Sequence, residues 1–275
     1  MKLKATISSL ITLASLLVAC DNVSENERLV YVEPAAVNTA VLVEEFSGQM
    51  CVNCPNGAAE LEKLEKQYGE ALVVITYHGG DQSINPGEVE GVVGLGTKYG
   101  ELMEKTYRIN ILGKPCIVVN GKTINNTVLT WATDIVEASK RISDVSLTGE
   151  ASYDAASATI KIQITGACNS VYDGALQVVL TESGIVAPQM LPDNSADDHY
   201  VHNNVLRATV NGTAGEPFSV SGKDIEGVSK TYTVPVQADW QPTHMHVVAY
   251  VKNGNGEVGQ ALCLPVKEYT NENNN

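Results

Sequence analysis

Apolar and polar positions along the chain fall into two textures. Residues 41–46 (VLVEEF) read as a strand. Ala58, Leu61, Leu64 and Tyr68 then recur at helical spacing with Glu and Lys between them, which predicts a helix over 55–68. Pro55 suits its first turn, where a missing N–H costs nothing. Residues 71–77 (ALVVITY) read as a short buried strand, followed by a glycine-rich stretch to Gly96 and a helical segment around Leu102 and Tyr107. Residues 116–119 form another strand, and Asn120-Gly121 is a hairpin signal. Val128, Trp131, Ala132, Ile135, Val136, Ser139 and Ile142 fit one face of a closing helix. The order β-α-β-α-β-β-α is that of a layered α/β unit.

From about residue 145 the period shortens to two. Residues 146–153, 159–165, 175–181, 231–236, 246–251 and 259–264 alternate or run β-branched, punctuated by Asp154, Gly166, Asp173-Gly174 and Asn253-Gly254. This pattern predicts an antiparallel, all-β sandwich of immunoglobulin-like type. The expected division is an α/β domain over 39–144, a β-sandwich domain over 145–268 and a disordered tail over 269–275.

The N-terminus sets the compartment. Lys2 and Lys4 precede an apolar run over 5–18, short of the roughly 20 residues a spanning helix needs. The run ends in Leu17-Val18-Ala19-Cys20, which resembles a bacterial lipobox. The alternative is an ordinary secretory signal with a chance cysteine, but the positive start, the apolar run and the box coincide. Residues 1–19 are therefore expected to be a lipoprotein signal peptide, Cys20 the lipidated residue, and 20–38 an acidic tether.

Charge and cysteines narrow the chemistry. The 275 residues carry 18 Lys and Arg against 32 Asp and Glu, a net charge of −14. Without Lys2 and Lys4 the balance becomes 16 against 32, or −16. Such a chain is repelled by phosphate backbones, so no nucleic-acid partner is expected. The expected membrane contact is the lipid. Apart from Cys20, five cysteines face an oxidising compartment, and an odd number leaves a thiol over.

The sharpest motif is Cys51-Val52-Asn53-Cys54, directly after a strand and at the start of a helix. A helix N-terminus favours the thiolate of the first cysteine, and the two-residue spacer lets the second sulfur attack a mixed disulfide. A structural zinc site would need a second such pair, and neither another CxxC nor an HxxxH is present, so no metal is expected. Pro115 stands directly before the strand at 116–119. With these residues in place, the segment from 41 to 142 resembles the thioredoxin fold. That resemblance implies a cis-proline at Pro115 facing the dithiol, and a buried acid, Glu45, that relays protons to the second cysteine. The departures are Met50 where the family has Trp, Val52-Asn53 in place of Gly-Pro, and Lys114 before the proline. A bridge between Cys168 and Cys263 is expected in the β half, with Cys116 as the odd thiol.

The lipobox, residues 44–55 (EEFSGQMCVNCP), 77–81 (YHGGD) and 199–207 (HYVHNNVLR) together resemble the outer membrane protein 28 family of Bacteroidetes lipoproteins. The resemblance implies an outer-membrane location, on the periplasmic or cell-surface side, and adhesion or receptor-like roles for some members. Two readings follow. In one, the chain is an envelope thiol–disulfide oxidoreductase using Cys51, Cys54, Glu45 and Pro115, and its thiol substrate is unknown. In the other it is a non-enzymatic surface adhesin or binding lipoprotein, its protein partner unknown, with Cys51–Cys54 as a structural disulfide. No cofactor is expected in either. Asp197, Asp198, His199 and His202 read as a polar loop, His244 and His246 as an exposed strand face, and residues 91–98 as a cover over the thiol site with no phosphate-loop spacing.

Overall fold

Strands β1 (Val41–Ser47) and β2 (Leu72–His78) run parallel, with Val41 opposite Leu72 and Ser47 opposite His78. Both are buried along their whole length, which explains the apolar run of β2 and leaves Glu44 and Glu45 of β1 inside the fold. Helix α1 (Cys54–Tyr68) connects them and buries Cys54, Gly57, Leu61 and Leu64. Next come α2 (Lys98–Thr106), whose first turn is capped by Thr97 accepting from Gly100 N at 2.9 Å, and α3 (Ile109–Leu112). Strand β3 (Cys116–Val119) pairs antiparallel with β1 and turns into β4 (Thr123–Asn125), before α4 (Trp131–Ser139). On one face of this sheet Leu61, Leu64, Trp131 and Ile135 pack on Val41, Val43 and Val74. On the other, Tyr99 of α2 packs on Leu42, Phe46, Ile75 and Tyr77. These coordinates are a computed structural model describing residues 39–269 except Ile225. The expected signal segment, Cys20, the tether and the tail beyond Tyr269 lie outside the described residues.

The second half is strand-rich. It comprises β5 (Val145–Asp154), β6 (Thr159–Cys168), β7 (Val171–Glu182), β8 (Ile185–Val186), β9 (Gln189–Met190), β10 (Ala196–Asp197) and β11 (Val201–His202). These are followed by β12 (Val205–Thr209), β13 (Glu216–Ser221), β14 (Val228–Pro235), β15 (Met245–Lys252), β16 (Val258–Pro265) and β17 (Lys267–Glu268). Among the described residues a nine-stranded sheet runs β16-β15-β7-β12-β2-β1-β3-β4, with β13 also on β7. The sheet does not break where the sequence changes texture. β12 pairs with β7 on one side and, at Val205 opposite Thr76, with β2 on the other.

The far edge of this sheet returns to its middle. Ala40 N donates to Gln260 Oε1 at 2.9 Å, and Val258 N donates to Asn120 O at 3.0 Å. The curl encloses a core of Val73, Ile75, Tyr77, Val179, Val248 and Tyr250. A four-stranded sheet, β14-β6-β5-β17, covers the opposite face of β7 and β15. There Ile160, Ile162 and Ile164 meet Leu176, Val178, Leu180 and Val247. The fold is thus mostly β, with its helices gathered in the first half.

Three expectations need correction. The bridge between Cys168 and Cys263 is absent, and both are free thiols, as is buried Cys116. The reason is the two-residue period of β16: Leu262 and Leu264 pack on the core that Cys168 adjoins, so Cys263 points to the opposite face. Mass mapping of the oxidised protein after alkylation is expected to find Cys168 and Cys263 both modified, and a peptide linking them would overturn the assignment. The closing helix is also shorter than its pattern. It ends at Ser139, preceded by a 3₁₀ turn over Val128–Thr130, and leaves Ile142 82% exposed. His244 lies in a 3₁₀ turn (Pro242–His244) rather than on the strand with His246.

Candidate functional site

The end of β1 and the start of α1 create the thiol site. Cys51 N donates to Gly48 O at 3.0 Å, and Cys54 N to Cys51 O at 3.3 Å, so the two cysteines bracket one tight turn. Their Cα atoms are 5.4 Å apart and their sulfurs are joined in a disulfide. The Lys114–Pro115 peptide bond is cis. It leads into β3, whose first residue, Cys116, pairs with Phe46 near the end of β1. Gly57 keeps α1 close to this point, since a Cβ there would lie 3.0 Å from Pro115 Cβ and 2.7 Å from the Trp131 ring.

Both cysteines are covered. Cys51 is 2% exposed and Cys54 1%. Two buried glutamines lace other segments over them. Gln189 of β9 donates to Cys51 O at 2.9 Å and to Gly48 O at 3.2 Å, while Met190 N donates to Gln49 O at 2.8 Å. Gln49 donates to Val93 O at 3.0 Å and Pro188 O at 3.2 Å, and accepts from Leu95 N at 3.0 Å. Met50 N donates to Gln82 O at 2.9 Å. Residues 82–95 and 188–190 therefore close over the turn. Neither glutamine was legible as a site residue. Gln49 stands near the CxxC, but nothing in a lone glutamine reveals that its amide will bridge segments 46 and 139 positions away.

Beneath the turn lies a set of buried ionisable groups. Glu45 is 2% exposed, and its Oε2 accepts from Thr76 Oγ1 at 2.8 Å. Burial raises its carboxyl to about 7, the Thr76 hydroxyl opposes this, and nearby Glu65 adds to it. Glu44 points to the opposite face, where it accepts from Tyr77 Oη at 3.0 Å and Tyr107 Oη at 3.1 Å, and burial lifts it too to about 7. His78 and His202 stack edge to face with ring centroids 5.5 Å apart. Burial holds His78 well below its ordinary range, helped by His202 and Lys114, and brings His202 to about 4. Lys114 turns inward to a buried ion pair with Glu104 at 2.5 Å and donates to Gly79 O at 2.6 Å. Burial likewise pushes the Cys116 thiol up to about 11, where it is not a nucleophile at neutral pH.

Asp197 Oδ1 accepts from His199 N at 2.9 Å, a local turn bond, whereas His202 is drawn into the interior. Among the described residues no group of three or more His, Cys, Asp or Glu side chains could hold a metal ion, and no helix is long and apolar enough to cross a membrane.

The fold has solved counterparts. HBP35 of Porphyromonas gingivalis aligns over 85% of this chain and 77% of its own, at 15% identity and a TM-score of 0.58. A crystal structure of a protein from Agrobacterium tumefaciens aligns over 86% of this chain and 98% of its own, at 18% identity and a TM-score of 0.51. At such identities the likeness is one of fold. No curated protein sequence matches significantly. The family model described as "Outer membrane protein Omp28" matches residues 103–268, beyond the CxxC but through more than half of the chain. This chain belongs to the Omp28 outer membrane protein family.

Proposed function

We propose that this protein is a non-enzymatic outer-membrane lipoprotein whose Cys51–Cys54 disulfide is a structural clamp. The observation that carries the reading is the burial of both cysteines, at 2% and 1% exposure, beneath segments tied down by Gln49 and Gln189. Exchange begins with a thiolate meeting a sulfur in line, and a covered disulfide offers no approach. A four-residue loop also contributes stability by itself, about 2 kcal/mol on loop-entropy grounds. The first half is read as a thioredoxin-like unit, supported by the β1-α1-β2 order and the cis-proline. The second is read as an immunoglobulin-like sandwich, supported by the two facing sheets. Cys20 is read as the lipid attachment site. Substituting it by alanine is expected to release the protein from membranes into the soluble fraction.

The deciding measurement is a disulfide-reductase assay and redox titration of the mature protein beside Cys51→Ser. The clamp reading expects no Cys51-dependent turnover and a potential below about −300 mV. Cys51-dependent turnover would overturn it. The exchange reading retains one specific support, the cis Lys114–Pro115 bond together with a carboxyl at Glu45 raised to about 7. Under that reading Gln189→Ala would uncover the sulfurs and turn on reductase activity.

A further inference from the structure

Next to the disulfide, but not lined by it, a crevice of about 60 Å³ opens between α1 and the segment 200–204. Its inner wall carries Glu45, Thr76, His78 and His202, and its mouth Glu62, Glu65 and Tyr200. Three of the inner groups present polar atoms that are buried and have no protein partner: Glu45 Oε1, both ring nitrogens of His78, and His202 Nε2. The residues themselves are 2%, 1% and 5% exposed. Buried polar atoms are nearly always satisfied, so such a convergence calls for a polar guest.

The chemistry of the guest follows from the donors and acceptors. Both imidazoles are neutral near pH 7, because burial disfavours their charged forms. The backbone hydrogen bonds of the His202 ring at Ala187 and Pro188 leave Nε2 as its unpartnered acceptor, on a residue that lines the crevice. The Glu45 carboxyl, which a bound cation would hold ionised against the pull of burial, and two imidazole nitrogens match the three N–H donors of an ammonium. Glu62 and Glu65 add negative potential at the entrance, while Ala58, Leu61 and Val74 supply an apolar wall for methylenes. A metal ion, bonding at about 2 Å where an ammonium hydrogen-bonds at about 2.9 Å, needs a tighter grouping than these side chains offer among the described residues.

We propose that this crevice binds a primary ammonium group carried on a slender alkyl chain, with Glu45 as its counter-charge and His78 and His202 as neutral acceptors. The inference goes beyond the clamp reading and does not depend on it.

The test is a titration of n-propylammonium chloride into the oxidised mature chain. The ring-proton shifts of His78 and His202 are followed by NMR, with tetramethylammonium chloride at equal ionic strength as the control. The expected result is a saturable shift with propylammonium alone, at a dissociation constant on the order of millimolar for so small a ligand. Glu45→Gln is expected to weaken binding about tenfold or more, because a charged partner becomes neutral. Glu62→Gln, at the exposed mouth and harmless to folding, is expected to weaken it by about twofold. The Cys51→Ser/Cys54→Ser double variant is expected to bind unchanged, which separates this site from the fate of the disulfide. The proposal is overturned if propylammonium gives no saturation, if tetramethylammonium gives the same shifts, or if zinc chloride saturates them where propylammonium does not.

Discussion

Wild-type protein is expected to lose stability as the pH rises from 5 to 8, and Glu44→Gln and Glu45→Gln are each expected to restore much of that loss. Both carboxyls are lifted by burial from 4.5 to about 7. Between those values the folded chain keeps a proton that the unfolded chain has released. The stabilising contribution is therefore complete below about 4.5 and falls as pH climbs towards 7, where the folded state must ionise a carboxylate out of contact with water. At about 1.4 kcal/mol per pH unit, each group costs about 3 kcal/mol by pH 8. The amide substitutions remove this cost with little change in shape. A glutamine at 44 can accept from one of the Tyr77 and Tyr107 hydroxyls and donate its amide N–H to the other, and one at 45 still accepts from Thr76. Urea unfolding midpoints at pH 5 and pH 8 provide the check. A wild-type midpoint equal at the two pH values, or variants as pH-sensitive as wild type, would refute the assignment.

Lys114→Met is expected to destabilise the protein by about 3–5 kcal/mol, and adding Glu104→Met to recover most of that loss. The side chains of Lys114 and Glu104 are only 3% and 6% exposed, so removing one partner strands the other's charge in the interior. The lysine also donates to Gly79 O, which anchors the start of the 79–95 segment at the edge of the thiol site. That segment is close-packed here. A Cβ on Gly79 would lie 2.6 Å from the Glu101 backbone nitrogen, so α2 approaches as near as the backbone allows. A double-mutant cycle by denaturant unfolding measures the coupling, and a single variant as stable as wild type would show that the pair has no net structural role.

The same lysine marks the limit of what could be read without the fold. On sequence grounds Lys114 is only a departure from the thioredoxin pattern beside Pro115; in the structure it is spent on Glu104, a residue whose helical position gave no hint of burial. Glu45 is the contrary case. The thioredoxin resemblance implies a buried acid at this position, six residues before Cys51, and the structure buries it. His202 fell between. Its neighbours Asp197 and His199 behave as a polar turn, yet it is itself drawn under β9 to meet His78, about 120 positions away in the chain.

What the sequence by itself determined is everything set by local periodicity and turn chemistry. The strands at 41–47 and 72–78, the helix opening at Cys54-Pro55 and the hairpin at Asn120-Gly121 follow from side chains within one or two turns of each other. So does the change of texture near 145. The tertiary structure alone decided strand order, and with it the site. Only the pairing of β12 against β2 makes one sheet of the two halves, and only the excursion over residues 183–204 carries Gln189 onto Cys51 and His202 onto His78. Two-residue strands such as β9 and β11 have too few positions for a period to emerge, and the groups that Gln189 and His202 meet, Cys51 and His78, are remote in sequence. A cysteine pair that looks reactive in the one-dimensional chain is thus buried by residues whose identity as a cover exists only once the sheet has closed.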